Sequence, residues 1–278
     1  MLELTWCQML NPSPYISQYL YPLFRASSDE ELVYHMTFGV IIYALIVLFL
    51  PMAAPYGRYR STRFGFGLPA KLAWVVQECP AFLMPFFMVI TTQRSNYHTV
   101  TNQICMGLFI IHYFQRSFVY ALLVPSKNSV PFLPFVSAFF TCLLFGTLQG
   151  VYFVNFYKYD DSVWLKKPYF WIGCALYLYG MRLNVGSDSV LRKLRSCGNS
   201  DYKIPRGGMF EKVSCANYLG EVLEMWGYAI SSCAPPAFAH ALFTTCFLTR
   251  RALQHHQWYL KKFDDYPTDR KAIFPYLL

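Results

Sequence analysis

Four groups of polar side chains recur at helical spacing inside or beside apolar runs, each of a type that handles a ketone, a proton or a phosphate. Residues at i, i+4 and i+7 share one helix face. The first group is Asn184, Asp188, Arg192 and Arg195. An amide or carboxylate there would bond a ribose or adenine, while a guanidinium would fork onto a phosphate. A solvated helix at a membrane edge would show the same pattern. The second is Asn217, Glu221, Glu224 and Tyr228, with two carboxylates one turn apart in an apolar run. A carboxylate buried against an arginine is the structural alternative. The third is Arg251, His255 and Tyr259, where a cation, an imidazole and a phenol suit a pyrophosphate or a nicotinamide ribose. A snorkelling helix would also place them so. The fourth is Tyr113, Arg116 and Tyr120, deep in Ile-Ile-His-Tyr-Phe-Gln-Arg-Ser-Phe, to which Gln77-Glu78 adds a carboxyl. A protonated carboxyl and a phenol converging on one oxygen make an oxyanion-type site. Satisfaction by a neighbouring helix is the alternative.

The elements that must carry these stripes are hydrophobic helices. Apolar residues make up 55% of the 278 residues and charged residues 14%, against roughly 25% charged in globular domains. A membrane helix needs about 20 mostly apolar residues. The expected spans are Tyr34–Met52, Pro69–Ile90, Ile104–Val124, Pro131–Phe153, Tyr169–Leu183, Val213–Ser232 and Pro235–Thr249. The predicted class is thus an all-α, polytopic integral membrane protein with seven transmembrane helices. A charge at mid-depth on a lipid-facing helix costs roughly 2.5–3.5 kcal/mol. His112, Arg116, Glu221 and Glu224 are therefore expected to face an interior cavity.

Loop charges set the orientation. With the N-terminus outside, the segments 53–68, 125–130, 184–212 and the tail from Arg250 carry 16 Lys and Arg, against five in the opposite segments. The net charge of +9 follows from orientation and a phosphate-bearing ligand, without nucleic acid. Residues 1–33 read as an N-terminal extension, with a short interfacial helix at Tyr15–Phe24, and 34–278 as one seven-helix domain. The acidic run Asp29-Glu30-Glu31 and the lack of a basic opening exclude a secretory signal. Nine cysteines form no CxxC pair, so they read as packing residues, with no zinc site or disulfide framework. The turn Ile204-Pro205-Arg206-Gly207-Gly208 allows close backbone approach to a ligand and is equally an ordinary turn. The lone Gly65-Phe66-Gly67 lacks a Rossmann context.

At these residues the sequence resembles the steroid 5α-reductase family (3-oxo-5α-steroid 4-dehydrogenases), from about Tyr56 to the C-terminus. The matching blocks include Ala73-Trp74-Val75-Val76-Gln77-Glu78, His112-Tyr113-Phe114, Leu148-Gln149-Gly150 and Gly180-Met181. Tyr202 to Gly208, Ala216 to Glu221, and Tyr266-Pro267 with Arg270-Lys271 continue the series. The chain departs from the pattern at Cys79, Gly186 and 125–130.

The resemblance implies cytoplasmic loops that bind NADPH and a membrane half that admits a lipid-like enone. By it, Glu78 and Tyr113 are catalytic and grip the 3-keto oxygen of a 3-oxo-Δ4-steroid, with Arg116 on the substrate side. Hydride would reach C5 and a proton C4. It assigns the cofactor to Tyr56, Gln77, Asn184, Asp188, Arg195, Tyr202, Asn217, Glu221, Arg251, His255 and Tyr259; Arg192 joins them through the first stripe. It also implies the endoplasmic-reticulum membrane, a lumenal N-terminus, no metal and no obligate protein partner. Three alternatives stay open at this point. They are reduction of another lipid alkene (sterol, polyprenol or enoyl thioester), membrane methyl transfer, and a seven-helix receptor or transporter.

Overall fold

The computed structural model describes residues 13–49, 55–92, 95–124, 129–196 and 202–278. Residues 1–12 of the N-terminal extension, Lys127, Cys197 and Gly198 lie outside that set. The chain forms helices α1 (Ser13–Phe24), α2 (Asp29–Phe49), α3 (Ala70–Thr91), α4 (Val100–Leu123), α5 (Phe132–Phe156), α6 (Asp161–Trp164), α7 (Pro168–Ser196), α8 (Ala216–Ser232) and α9 (Pro235–Lys262). The only sheet among the described residues pairs β1 (Gly67–Leu68) with β2 (Val130–Pro131), antiparallel. The all-α class holds.

Four helices, α2, α3, α4 and α5, are long and apolar enough to cross a membrane, so the chain is a multi-pass membrane protein. Their outer faces carry large exposed apolar side chains such as Phe38, Ile46, Phe87, Ile111 and Phe140, as a lipid-facing surface requires. Helices α7, α8 and α9 coincide with the other three expected spans, but α7 and α9 carry more charge and α8, at 17 residues, is shorter. At 1.5 Å per residue α7 and α9 run about 42 Å, well beyond a hydrocarbon core of about 30 Å. The residues 184–195 and 251–259 ride on those overhanging C-terminal ends.

Helix ends follow local chemistry. Thr99 caps α4 by accepting from the Asn102 amide. Asp161 reaches across from α6 to accept from the amides of Val100 and Thr101 at 2.8 and 2.9 Å. Burial pushes the Asp161 carboxyl up, but the Thr101 hydroxyl and those amides outweigh it and hold it below its ordinary range. α8 ends at Cys233 with φ 45°, and Pro235 and Pro236 open α9.

The decisive packing is backbone on backbone. A Cβ on Gly180 or Gly220 would collide with the backbone of Glu224 or Asn184, and Gly173 and Gly227 meet the same limit against Ser231 and Tyr177. Helices α7 and α8 therefore lie as close as glycine permits, the small-residue packing that suits membrane helices. Gly146 of α5 similarly meets the backbone of Pro80 and Ala81 on α3. The core beneath is aromatic and aliphatic, with Phe109, Phe153, Phe170, Tyr177 and Tyr228 almost fully buried.

Candidate active site

Because α7 and α8 touch through glycine, the polar residues flanking those glycines meet directly. Asn184 donates to the Asn217 carbonyl at 2.9 Å and to Glu221 at 3.4 Å, and Asn217 donates to Asp188 Oδ1 at 3.0 Å. The last two turns of α4 wind with i→i+5 spacing over Gln115–Tyr120, a local widening often found at functional positions. Arg116 lies in that segment. Its guanidinium sits 3.9 Å from Asp188 and 4.0 Å from Glu221, and over the ring of Tyr120 at 4.4 Å. The expectation that charged residues in the spans face the interior is met at Arg116 and Glu221 and at the buried pair His112 and Glu224.

Glu78 and Tyr113 stand at the membrane end of this cluster. The Cys142 thiol donates to Glu78 Oε2 at 3.6 Å. The Tyr113 hydroxyl lies 3.2 Å from His240 Nε2, with the two rings stacked at 16°. Glu78, Tyr113, Arg116 and Glu221 are all within electrostatic reach of one another. Gln77 is buried beside Glu78 on α3. A carboxyl and a phenol thus lie within electrostatic reach of each other and of Arg116 and Glu221.

The third stripe is covered by residues 56–59, which follow the first span. Arg251 lies over the Tyr56 ring at 4.0 Å and donates from Nε to the Tyr218 hydroxyl at 3.3 Å. His255 bridges the hydroxyls of Tyr59 and Tyr218, at 3.1 Å on Nδ1 and 3.2 Å on Nε2. It lies beyond the apolar stretch that ends at Thr249. Burial first, then the guanidiniums of Arg251, Arg58 and Arg195, hold its imidazole well below the usual histidine range, so the ring is neutral. Arg58 is held in a cage of Trp258, Tyr202 and Tyr259, at 4.1, 4.7 and 5.2 Å from their ring centres.

The turn at 205–208 is ordered from outside the stripes. Gly207 and Gly208 have φ of +92° and +57°, a backbone conformation that a residue carrying a Cβ would resist. The Gly207 amide donates to Glu211 at 2.5 Å, and the buried Arg270 donates to the Pro205 carbonyl at 3.1 Å. The C-terminal segment in turn pairs with α8's approach, through Ser214 N to Lys271 O at 2.8 Å and Cys215 N to Ala272 O at 3.1 Å.

The expected site residues therefore fall into two adjoining patches. Glu78, Gln77, Tyr113, Arg116, Asn184, Asp188, Asn217 and Glu221 form an acid-and-amide patch, with Arg192 in electrostatic reach of Asp188. Tyr56, Arg251, His255 and Tyr259 form a basic and aromatic patch, with Tyr202 at its exposed rim. Arg195 is exposed and reaches both Tyr120 and His255. The second stripe splits, however. Glu224 pairs with His112 at 2.9 Å and the Tyr228 hydroxyl donates to Gln149 at 2.9 Å, so both serve the core. Residues that helical spacing did not single out are His240, Cys142, Arg58, Tyr59 and Tyr218; each contacts an expected residue from a different element. Among the described residues no group of His, Cys, Asp and Glu could hold a metal.

Comparison with known proteins follows the same lines. The profile of the 3-oxo-5-alpha-steroid 4-dehydrogenase family matches residues 128–278. The chain is 44% identical over 244 residues to 3-oxo-5-alpha-steroid 4-dehydrogenase 1 of Bos taurus, covering 86% of this chain and 93% of that protein. It is 41% identical over 222 residues to the Homo sapiens protein of that name, covering 80% and 85%. To 3-oxo-5-alpha-steroid 4-dehydrogenase 2 of Sus scrofa it is 41% identical over 238 residues, covering 84% and 92%.

Proposed function

The chain belongs to the 3-oxo-5-alpha-steroid 4-dehydrogenase family, and we propose that it reduces the Δ4 double bond of 3-oxo-Δ4-steroids with NADPH. As a member of an oxidoreductase family it needs neither the methyl-transfer nor the receptor reading. The observation that supports the proposal is that Glu78 and Tyr113 lie within electrostatic reach of each other and of Arg116 and Glu221. Those two groups would donate to the 3-keto oxygen. Charge on that oxygen grows as the enolate forms, so donors aimed there stabilise the transition state more than the ground state.

The residues fit a dinucleotide. Among the described residues Asp188 Oδ2, 3.9 Å from Arg116, and Arg58 NH1 are buried without a hydrogen-bond partner. An acceptor and a guanidinium left so are costly, and a ribose hydroxyl and a phosphate would satisfy them. Asn184, Asp188, Asn217 and Glu221 would accept and donate to ribose and carboxamide, with Gln77 beside them. Arg192, Arg195, Arg251, His255, Tyr56, Tyr202 and Tyr259 would hold the phosphates and adenosine. When bound, NADPH would supply the hydride that reaches C5. Arg116, 3.9 Å from Asp188 and 4.0 Å from Glu221, would hold the two carboxyls in place next to the substrate end. The four apolar helices would wall the steroid from lipid.

The same reading places the protein in the endoplasmic-reticulum membrane with seven crossings, a lumenal extension of residues 1–33 and a cytoplasmic C-terminus. The test is purified protein in detergent given NADPH and a 3-oxo-Δ4-steroid, followed by cofactor absorbance and product mass. A 5α-reduced product formed with NADPH oxidation is expected. Intact protein that oxidises no NADPH with any such enone rejects the proposal.

A further inference from the structure

Tyr113 is not alone at the substrate end. His240 of α9 is 3% exposed and Tyr113 5% exposed, and only 3.2 Å separates the phenol oxygen from Nε2. Phe145 and Phe109 pack the imidazole at centroid distances of 4.5 and 5.7 Å. The other ring nitrogen, Nδ1, is buried with no hydrogen-bond partner among the described residues. An imidazolium so enclosed, with no carboxylate bonded to it, would be an uncompensated buried charge. The ring is therefore neutral and carries one N–H.

Where that proton sits decides what Tyr113 can do. With the proton on Nδ1, the core would hold an orphaned N–H, and the Tyr113 proton would be committed to His240. With the proton on Nε2, His240 donates to the phenol oxygen and only an acceptor lone pair goes unpaired. Orphaned buried donors are rarer than under-used acceptors, so the second arrangement is favoured. It also leaves the Tyr113 O–H free to turn to a substrate. Donation into the phenol oxygen strengthens that O–H as a donor, because hydrogen bonds in a chain polarise one another.

We infer that His240 is a positioning residue that donates from Nε2 to Tyr113 and so frees and strengthens the phenol's hydrogen bond to the 3-keto oxygen. This rests on the role proposed above for Tyr113. It adds a residue from α9, the last helix, to a pair drawn from α3 and α4, and makes the ketone-binding end dependent on three helices.

Two measurements test it. The first is steady-state turnover of the full-length protein in detergent with NADPH and a 3-oxo-Δ4-steroid. His240→Phe keeps the stacking and removes the donor; it should lower kcat about tenfold, with the KM for NADPH within about twofold of wild type. His240→Gln restores an N–H at the Nε2 position and should recover most of that loss. Full activity in His240→Phe, or a Gln variant no better than Phe while both remain folded, overturns the inference alone. A wild type inactive with every enone overturns it together with the proposed function. The second measurement needs no active variant. ¹⁵N-histidine spectra of the wild type, with His240 assigned by its absence in His240→Gln, should show the neutral Nε2–H tautomer. An Nδ1–H tautomer or an imidazolium overturns the inference.

Discussion

At Tyr113 the structure joins a phenol, an imidazole and, within electrostatic reach, the Glu78 carboxyl. If both donors act on the developing enolate, losing either costs transition-state stabilisation and little cofactor binding. Tyr113→Phe and Glu78→Gln should each lower kcat by about 10²–10³, with NADPH affinity measured by fluorescence titration unchanged. A matching loss of NADPH affinity would move those residues out of the substrate role. Arg195, exposed at the end of α7 between the two patches, should behave in the opposite way. Arg195→Ala is expected to weaken NADPH binding about tenfold with kcat retained; unchanged affinity in the same titration removes Arg195 from the cofactor residues. Tyr113 and Glu78 stood out in the sequence as a phenol and a carboxyl inside apolar runs, and the family resemblance supplied their expected roles. His240 did not. A single imidazole among Ala237, Ala239 and Ala241 has no ionisable partner three or four residues away on its helix, and the hydroxyl it meets lies on α4.

Between elements, the acid-and-amide patch exists because α7 and α8 pack through glycine. Gly220→Ala would place a methyl against the Asn184 backbone, separating the helices where Asn184 bonds Asn217 and Glu221. Overpacking of this kind costs about 1–3 kcal/mol. A lowered unfolding temperature in detergent, with weakened NADPH binding, is the expected result. Gly186→Ala on the same α7 meets nothing within 4 Å and gains helix propensity, so it should be neutral or slightly stabilising. Equal unfolding temperatures for the two variants would show that close helix contact is not what holds the patch. The apolar runs marked these helices correctly as runs, but α7 and α9 continue far past Leu183 and Thr249. Their later turns are polar, so hydropathy ended the expected spans before the helices themselves end.

Across the whole molecule, the C-terminal segment secures the turn at 205–208. Glu211 accepts from the Gly207 amide and lies near Arg270 and Arg206. That amide bond first, and then the two guanidiniums, hold its carboxyl below the ordinary range. A carboxyl depressed by folding stabilises above its unfolded value, about 4.3, and the contribution disappears as pH falls through the lower folded value. Wild-type protein should therefore lose more thermal stability than Glu211→Gln on acidification through that window. Parallel losses would show that the turn does not depend on the carboxylate. The effect is small because the group is exposed to solvent.

The amino-acid order alone determined a membrane protein. Few charges, long apolar runs and a basic excess on one side leave no other solvent for these helices. It also determined the chemical types available, since ionisable groups at membrane depth must be used or paired. Only the tertiary structure decided which of them meet. It split Glu221 from Glu224, sending one to Arg116 and the other to His112. It also brought Arg58 and Tyr59 onto α9, and set His240 behind Tyr113. Helical spacing reports neighbours on one helix, whereas Tyr59 and His255, for instance, stand 196 positions apart. Such contacts are fixed by how closely glycine lets two backbones approach and by how far a helix extends beyond its apolar run.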